Sequence, residues 1–286
     1  MEIDLLWLIL LPILFVLGWA TARYDRGQQR REARHVPRDI LDAMSALLAD
    51  DPRKATESLL AAARSAPDAP DLHRAVGNLY RRRGMTDRAI EVHEAALRNP
   101  EIEPAGRRAM LLDLGRDYLA AGLFDRAEDI LVDVVTLSMQ AGADADQDAA
   151  HEARMLLVRI AERTRDWQRA LQWVHEARKS GALPDDSVFH QLAGHFCCEL
   201  AEAALRAHNN TQALEWLAMA ESHPSPGPSR RSNTIRDGMV AGSVDPSAPS
   251  TSVGETETCS VCGFRSRQHY WQCPGCHSWD SFGVSR

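Results

Sequence analysis

Gly77-Asn-Leu-Tyr80-Arg-Arg-Arg-Gly84-Met-Thr-Asp87-Arg88-Ala89 recurs as Gly115-Arg-Asp-Tyr118-Leu-Ala-Ala-Gly122-Leu-Phe-Asp125-Arg126-Ala127. Gly, Tyr, Gly, Asp, Arg and Ala return at the same offsets. A small residue lets two helices approach closely, and the aromatic three positions on shares its helical face. The second Gly ends the first helix, and the Asp is expected to open the next with its side chain on free N–H groups. The small Ala then falls where the two helices cross. Each copy therefore reads as a helical hairpin, and self-similarity at this period signals a solenoid of stacked hairpins.

Used as a marker, the crossing Ala extends the register in both directions. Ala55 is followed by Leu59, Ala62 and Pro67 at offsets that suit a closing turn. Downstream stand Ala170, in Trp167-Gln-Arg-Ala170-Leu, and Ala213, in Thr211-Gln-Ala213-Leu-Glu-Trp216. The intervals are 34, 38, 43 and 43 residues, and the last two hairpins lack the Gly and Tyr. The pattern resembles the tetratricopeptide repeat (TPR), which makes residues 38–222 an all-α TPR solenoid. Ile40, Leu41, Met44, Leu47 and Leu48 share one face of its first helix. No nucleophile–base pair, phosphate loop or carboxylate dyad stands in a recognisable setting, so no enzyme is expected. The groove of such a stack suits extended peptides or partner helices. Asp144, Asp146 and Asp148 alternate, but without the Gly and Glu of a calcium loop they read as a solvated connection. Cys197 and Cys198, in His195-Phe-Cys-Cys-Glu-Leu200, read as small buried hydrophobes, and His190 and His195 as ordinary core or rim residues.

A formal charge of −7 over 286 residues argues against nucleic-acid binding. Positive charge is concentrated in residues 22–38, where six Arg face only Asp25 and Glu32. Directly before them, Leu5 to Ala22 gives 18 residues without a formal charge. As a helix they span about 27 Å, close to the roughly 30 Å hydrocarbon core of a bilayer. Trp7 and Trp19 lie near the ends, as interfacial aromatics do, and Pro12 is tolerable at the cost of a kink. Glu2 and Asp4 precede the run and the arginines follow it. Residues 1–37 thus read as a single-pass transmembrane helix with a basic juxtamembrane segment, the body on the cytoplasmic side. A cleaved signal peptide, which Ala20-Thr21-Ala22 would suit, needs a basic leading segment that is absent.

Residues 223–257 are dense in Pro, Ser and Gly and read as a flexible linker. Residues 258–286 then carry Cys259-Ser-Val-Cys262-Gly263-Phe264 and Cys273-Pro274-Gly275-Cys276. Each Cys-x-x-Cys pair spans one tetrahedral edge, with Gly263 and Gly275 expected to permit the turns around sulfur. Together they supply the four thiolates of a closed structural site. So short a segment cannot fold by burial alone, whereas metal binding can hold it. Phe264, Tyr270, Trp271, Trp279 and Phe282 are expected to pack around the metal, with His269 and His277 facing solvent. Zn2+ is the preferred ion. Iron, as in a rubredoxin-type electron carrier, takes the same ligands. Disulfides are disfavoured in a reducing compartment, and a nucleic-acid ribbon would need more basic surface than Arg265, Arg267 and Arg286.

The membrane helix, the TPR hairpins and the Cys-x-x-Cys-Gly-Phe…Tyr-Trp-x-Cys-Pro-x-Cys…Trp knuckle together resemble the lipopolysaccharide assembly protein B family. The doubled motif, Trp167-Gln-Arg-Ala170 and His195-Phe-Cys-Cys-Glu-Leu200 carry the likeness across residues 70–222. The resemblance implies a non-catalytic inner-membrane adaptor. It would promote turnover, by a membrane-bound AAA+ zinc protease, of the deacetylase that commits carbon to lipid A. It also implies that the rubredoxin-like module packs on the TPR body, with Cys259, Cys262, Cys273 and Cys276 as metal ligands. An iron redox protein and a general envelope-assembly TPR scaffold unrelated to lipid A are the alternatives. Where the family continues with further repeats, this chain enters the Pro/Ser stretch after about five. That leaves open the docking of the knuckle, the partner of the groove and homo-oligomerisation.

Overall fold

The computed structural model describes residues 69–142, 147–241 and 256–284, with isolated helical positions at 45, 54, 57–59 and 61–62. The expected anchor, the arginine segment, Ala55, Asp144 and Asp146 lie outside the described residues. Among the described residues no helix is long and apolar enough to cross a membrane. The chain divides into two compact units, residues 1–80 and 81–286. Helix α1 (Pro70–Arg82) starts on a proline in the first unit, where it buries Val76, Gly77 and Tyr80, and its last two residues, Arg81 and Arg82, belong to the second; Ala62, in the first, is fully buried.

The second unit continues with α2 (Thr86–Leu97), α3 (Pro104–Ala120), α4 (Phe124–Gln140), α5 (Gln147–Thr164), α6 (Trp167–Lys179), α7 (Asp186–Arg206) and α8 (Asn210–Glu221). From α2 to α8 each helix packs on the next in sequence, the contact pattern of stacked hairpins. Ala89, Ala127, Ala170 and Ala213 are all wholly buried, as crossing points must be. Gly115 shows why the small residue is needed. A Cβ there would lie 2.7 Å from Leu131 Cδ2. At the equivalent positions of the next two hairpins stand Val158 with Val174 and Ala201 with Leu217, all buried. Bulk added on one helix is removed from the other, as close packing requires.

The turns inside the hairpins are left-handed at Gly84 (φ 74°) and Gly122 (φ 76°), and equally at Arg165 and His208 (both φ 57°). The same closing bond recurs: Leu123 N–H donates to Tyr118 O at 2.8 Å, Asp166 N–H to Ala161 O at 2.9 Å and Asn209 N–H to Ala204 O at 2.9 Å. The last two hairpins therefore keep the turn without its glycine. The expected Asp caps need correction. Asp87 and Asp125 lie inside the first turn, and the cap positions are held by Met85 and Leu123, which make no side-chain capping bond. Their charge acts on the helix dipole instead. In the later hairpins Asp166 and Asn209 do cap, accepting from Arg169 N–H and Gln212 N–H.

The expected flexible linker over 223–257 is corrected too, because it contains helix α9 (Pro226–Ala241). Prolines in a first turn lose no intrahelical bond. Tertiary contacts then hold the helix against α7 and α8. Gly194 of α7 makes room for Pro228, which a Cβ there would approach to 2.6 Å. Arg231, buried, reaches Glu199 Oε1 at 2.7 Å and Glu202 Oε1 at 2.8 Å. Composition alone misses such pairings. After residues 242–255, outside the described set, come β1 (Glu257–Cys259), β2 (Arg265–Ser266) and β3 (Phe282–Val284). They form an antiparallel sheet in the order β2-β1-β3.

Candidate metal centre and its seat on the helical body

Two loops of like geometry carry the cysteines. In the first, Cys259 N–H donates to Phe264 O at 2.8 Å and Gly263 N–H to Cys259 O at 2.9 Å. In the second, Cys273 N–H donates to Ser278 O at 2.9 Å and His277 N–H to Cys273 O at 2.8 Å. The left-handed position is Gly263 (φ 75°) in one loop and His277 (φ 60°) in the other. Gly275, expected to make that turn, is therefore not the residue that needs positive φ. Its neighbours, Cys262 Sγ and Phe264, would lie 3.5 Å or more from an added Cβ.

The loops bring the four sulfurs within 4.8 Å of one another. Cys259 Sγ lies 3.7 Å from Cys276 Sγ and Cys262 Sγ 3.6 Å from Cys273 Sγ. A tetrahedral ion at about 2.3 Å from each sulfur requires edges of about 3.8 Å, so the donor set fits. These distances are far too long for S–S bonds, and all six cysteines are free thiols. The Ser281 hydroxyl, 3.3 Å away, holds the Cys259 thiol down to about 6. Ser278, 3.4 Å from Cys276 Sγ, lowers that thiol as well. Four thiolates so close repel one another unless a cation sits among them, which is the chemistry of a metal site.

Phe282 and Tyr270 pack on Cys259, Cys273 and Cys276, and Phe264 meets Phe282 edge-on at 6.3 Å. Two expected members of that shell act elsewhere. Trp271 stands edge-on to His269 at 4.8 Å and near His195 at 6.2 Å. His269 is not a free solvent-facing ring, since its Nδ1 lies 2.7 Å from Glu257 Oε2. His277 is exposed, as expected. Trp279 leaves the metal altogether and seats the ribbon on the helices. Its Nε1–H donates to Glu162 Oε1 at 2.7 Å, and its ring stacks on His195 with centroids 4.4 Å apart. Trp167 and Phe196 flank it edge-on at 6.2 and 6.1 Å.

Asp280, the next residue, completes the seat from a left-handed backbone (φ 50°). Its Oδ2 accepts from His195 Nε2–H at 2.8 Å and from Gln191 Nε2 at 2.9 Å. Gly227, in the first turn of α9, lies so close that a Cβ would fall 2.0 Å from Asp280 Oδ2. Burial raises the Asp280 carboxyl, but His195, Gln191 and Arg230 outweigh it and leave it below its usual range. Burial holds His195 below its own, against the pull of Asp280. His195 Nδ1 is buried without a hydrogen-bond partner among the described residues. A charged ring would strand a proton there, so the imidazole is neutral with its proton on Nε2. His195, read from sequence as ordinary, is thus the hub of the seat. Its partner is 85 residues away, and nothing local marks it.

A stack of TPR hairpins bearing a C-terminal rubredoxin-type metal-binding domain is the class that this fold and site define. A family model described as a tetratricopeptide repeat matches residues 72–104, and one described as a rubredoxin metal binding domain matches residues 258–283. The chain is similar to Lipopolysaccharide assembly protein B of Escherichia coli (strain K12), with 31% identity over 216 residues, 75% of this chain and 52% of that protein. The protein of the same name from Haemophilus influenzae is 27% identical over 204 residues, 68% of this chain and 48% of that one. The resemblance drawn from the motifs therefore holds, and the chain spans about half the length of the curated relatives it matches. Among solved structures, a MamA protein aligns over 65% of this chain and 89% of its own at 12% identity, with a TM-score of 0.47.

Proposed function

We propose that this protein is a membrane-tethered, non-catalytic adaptor in lipopolysaccharide assembly. It promotes proteolysis of the deacetylase that commits carbon to lipid A by a membrane AAA+ zinc protease. The observation that carries the reading is the seat just described. Trp279 and Asp280 fix a metal-binding ribbon on TPR hairpins, in a chain whose relatives bear the lipopolysaccharide assembly name. A rigid composite surface of this kind suits holding two proteins together and does no chemistry itself. Residues 5–22 would confine it to the inner membrane, body in the cytoplasm, which raises its effective concentration beside membrane partners. Cys259, Cys262, Cys273 and Cys276 would hold Zn2+, which supplies structure when bound.

The test is the steady-state level of the deacetylase in cells lacking this protein. Accumulation of the enzyme is expected; an unchanged level refutes the regulatory role. Metal analysis of the purified protein should give one zinc per chain and no colour. A red protein with a reversible one-electron potential would replace the adaptor with the iron carrier.

A further inference from the structure

Two adjoining hollows lie along one side of the second unit. One, of about 620 Å3, is walled by α5, the first half of α7 and the second cysteine loop. The other, of about 370 Å3, runs on from α5 to α3 and Arg81. Arg159 and Arg163 line both, so the hollows form one trough. Arginines along this trough fall into two kinds. Arg81 and Arg116 are held by acids: Arg81 Nη1 lies 2.6 Å from Asp117 Oδ1, and Arg116 Nε donates to Glu152 Oε1 at 2.9 Å. Arg159 and Arg163 are exposed, and neither makes a hydrogen bond or ion pair among the described residues.

They stand four apart on one helical face, where like charges destabilise the helix. The acid between them, Glu162, accepts its hydrogen bond from Trp279 and feels Arg159 only through its charge. Met155 and Leu192 supply apolar wall beside the arginines. The far wall is the loop Gln272–Ser278, with Gln272 Nε2 donating to His277 O at 3.3 Å. That wall exists only while the cysteine loop is folded.

We propose that this trough binds an acidic, partly apolar segment of a partner protein. Its carboxylates lie on Arg159 and Arg163, its apolar side chains against Met155 and Leu192, and the second cysteine loop closes the site. The inference rests on the adaptor reading and names the chemistry of the partner. Charge complementarity selects the occupant. The trough offers two guanidinium forks that make no hydrogen bond or ion pair among the described residues, on a chain of net charge −7, and a carboxylate accepts such a fork through two bonds. An extended segment, rather than a lone anion, fits a trough that passes from α3 to α7.

The test uses the full chain in neutral detergent and two fluorescent peptides, one alternating Leu and Glu, the other Leu and Gln. Anisotropy should show the Glu peptide binding about tenfold tighter or better, with affinity falling as salt rises. Arg159→Ala with Arg163→Ala should abolish that preference without lowering the melting temperature, while Arg159→Lys with Arg163→Lys keeps most of it. Chelation of the ribbon metal should weaken the Glu peptide also, by removing the far wall. Equal binding of the two peptides, or Glu-peptide binding untouched by the double Ala variant, overturns the proposal. So does an outcome in which only phosphatidylglycerol vesicles, and neither peptide, bind in an Arg159- and Arg163-dependent way. Deacetylase turnover is measured separately. Normal turnover beside absent peptide binding leaves the adaptor standing and removes only this trough.

Discussion

At the scale of single residues, the position of the ribbon depends on one carboxylate oxygen that accepts two hydrogen bonds, Asp280 Oδ2. Asp280→Ala leaves the Nε2–H of the fully buried His195 without its acceptor, and Gln191 Nε2 without its own in a half-buried position. An unsatisfied buried donor costs about 1–3 kcal/mol, so thermal unfolding should come several degrees earlier. Asp280→Asn keeps an acceptor oxygen and should lose less. If both variants melt with the parent protein, the seat is not held by this group. A second residue-scale consequence concerns acid. Burial, with His190, His175 and Arg178 nearby, holds His223 down to about 4 against an ordinary 6.5. Between those values the unfolded chain takes up a proton that the folded ring refuses. Stability is therefore full above pH 6.5 and lost as pH falls towards 4. With solvent screening the loss is on the order of 2 kcal/mol, and His195 adds to it in the same direction. Denaturant midpoints across that range should fall steadily in the parent and less steeply in His223→Asn. A flat profile would show that these rings titrate normally in the fold.

At the scale of helices, the legible part of the fold was steric and the illegible part was tertiary. The crossing alanines, four of them among the described residues, carry the hairpin register because any larger side chain at a crossing forces the helices apart. The glycine turns were readable at Gly84 and Gly122 but not at Arg165 and His208. There the closing backbone bonds and the Asp166 and Asn209 caps carry a left-handed residue at a modest cost. Helix α9 was hidden by its prolines and serines, since what orders it is Gly194 beneath Pro228 and two glutamates around Arg231. The exchange of bulk between paired helices is directly testable. Gly115→Ala places a methyl 2.7 Å from Leu131 Cδ2 and should destabilise by about 1–3 kcal/mol, despite better helix propensity. Leu131→Val on that background should recover part of the loss, as Val174 accommodates Val158 in the next hairpin. A double-mutant cycle with no coupling would place the strain elsewhere.

At the scale of the whole molecule, the cysteine spacing announced a metal-binding ribbon, but its seat joins Trp279 and Asp280 to α5, α7 and α9 across long sequence separations. Such separations carry no local signal, so the sequence alone groups Trp279 with the metal shell and gives His195 no role. The same seat makes metal removal a graded perturbation. A ribbon this small has too little core to survive without its ion. Once it unfolds, Glu162 loses the Trp279 N–H, His195 loses its stacking partner, and the first turn of α9 loses the carboxylate beside Gly227. In a stack where each hairpin touches chiefly its neighbours, that damage should decay along the chain. After chelation, amide exchange should accelerate strongly over 256–284, measurably around 191–195 and in the first turns of α9, and little in α3 and α4. Cys273→Ser should give the same map with no chelator present. Uniform loss of protection through α3 and α4 would mean that the ribbon holds the whole stack together. Unchanged protection over 256–284 would mean that its four sulfurs fold the loops without an ion.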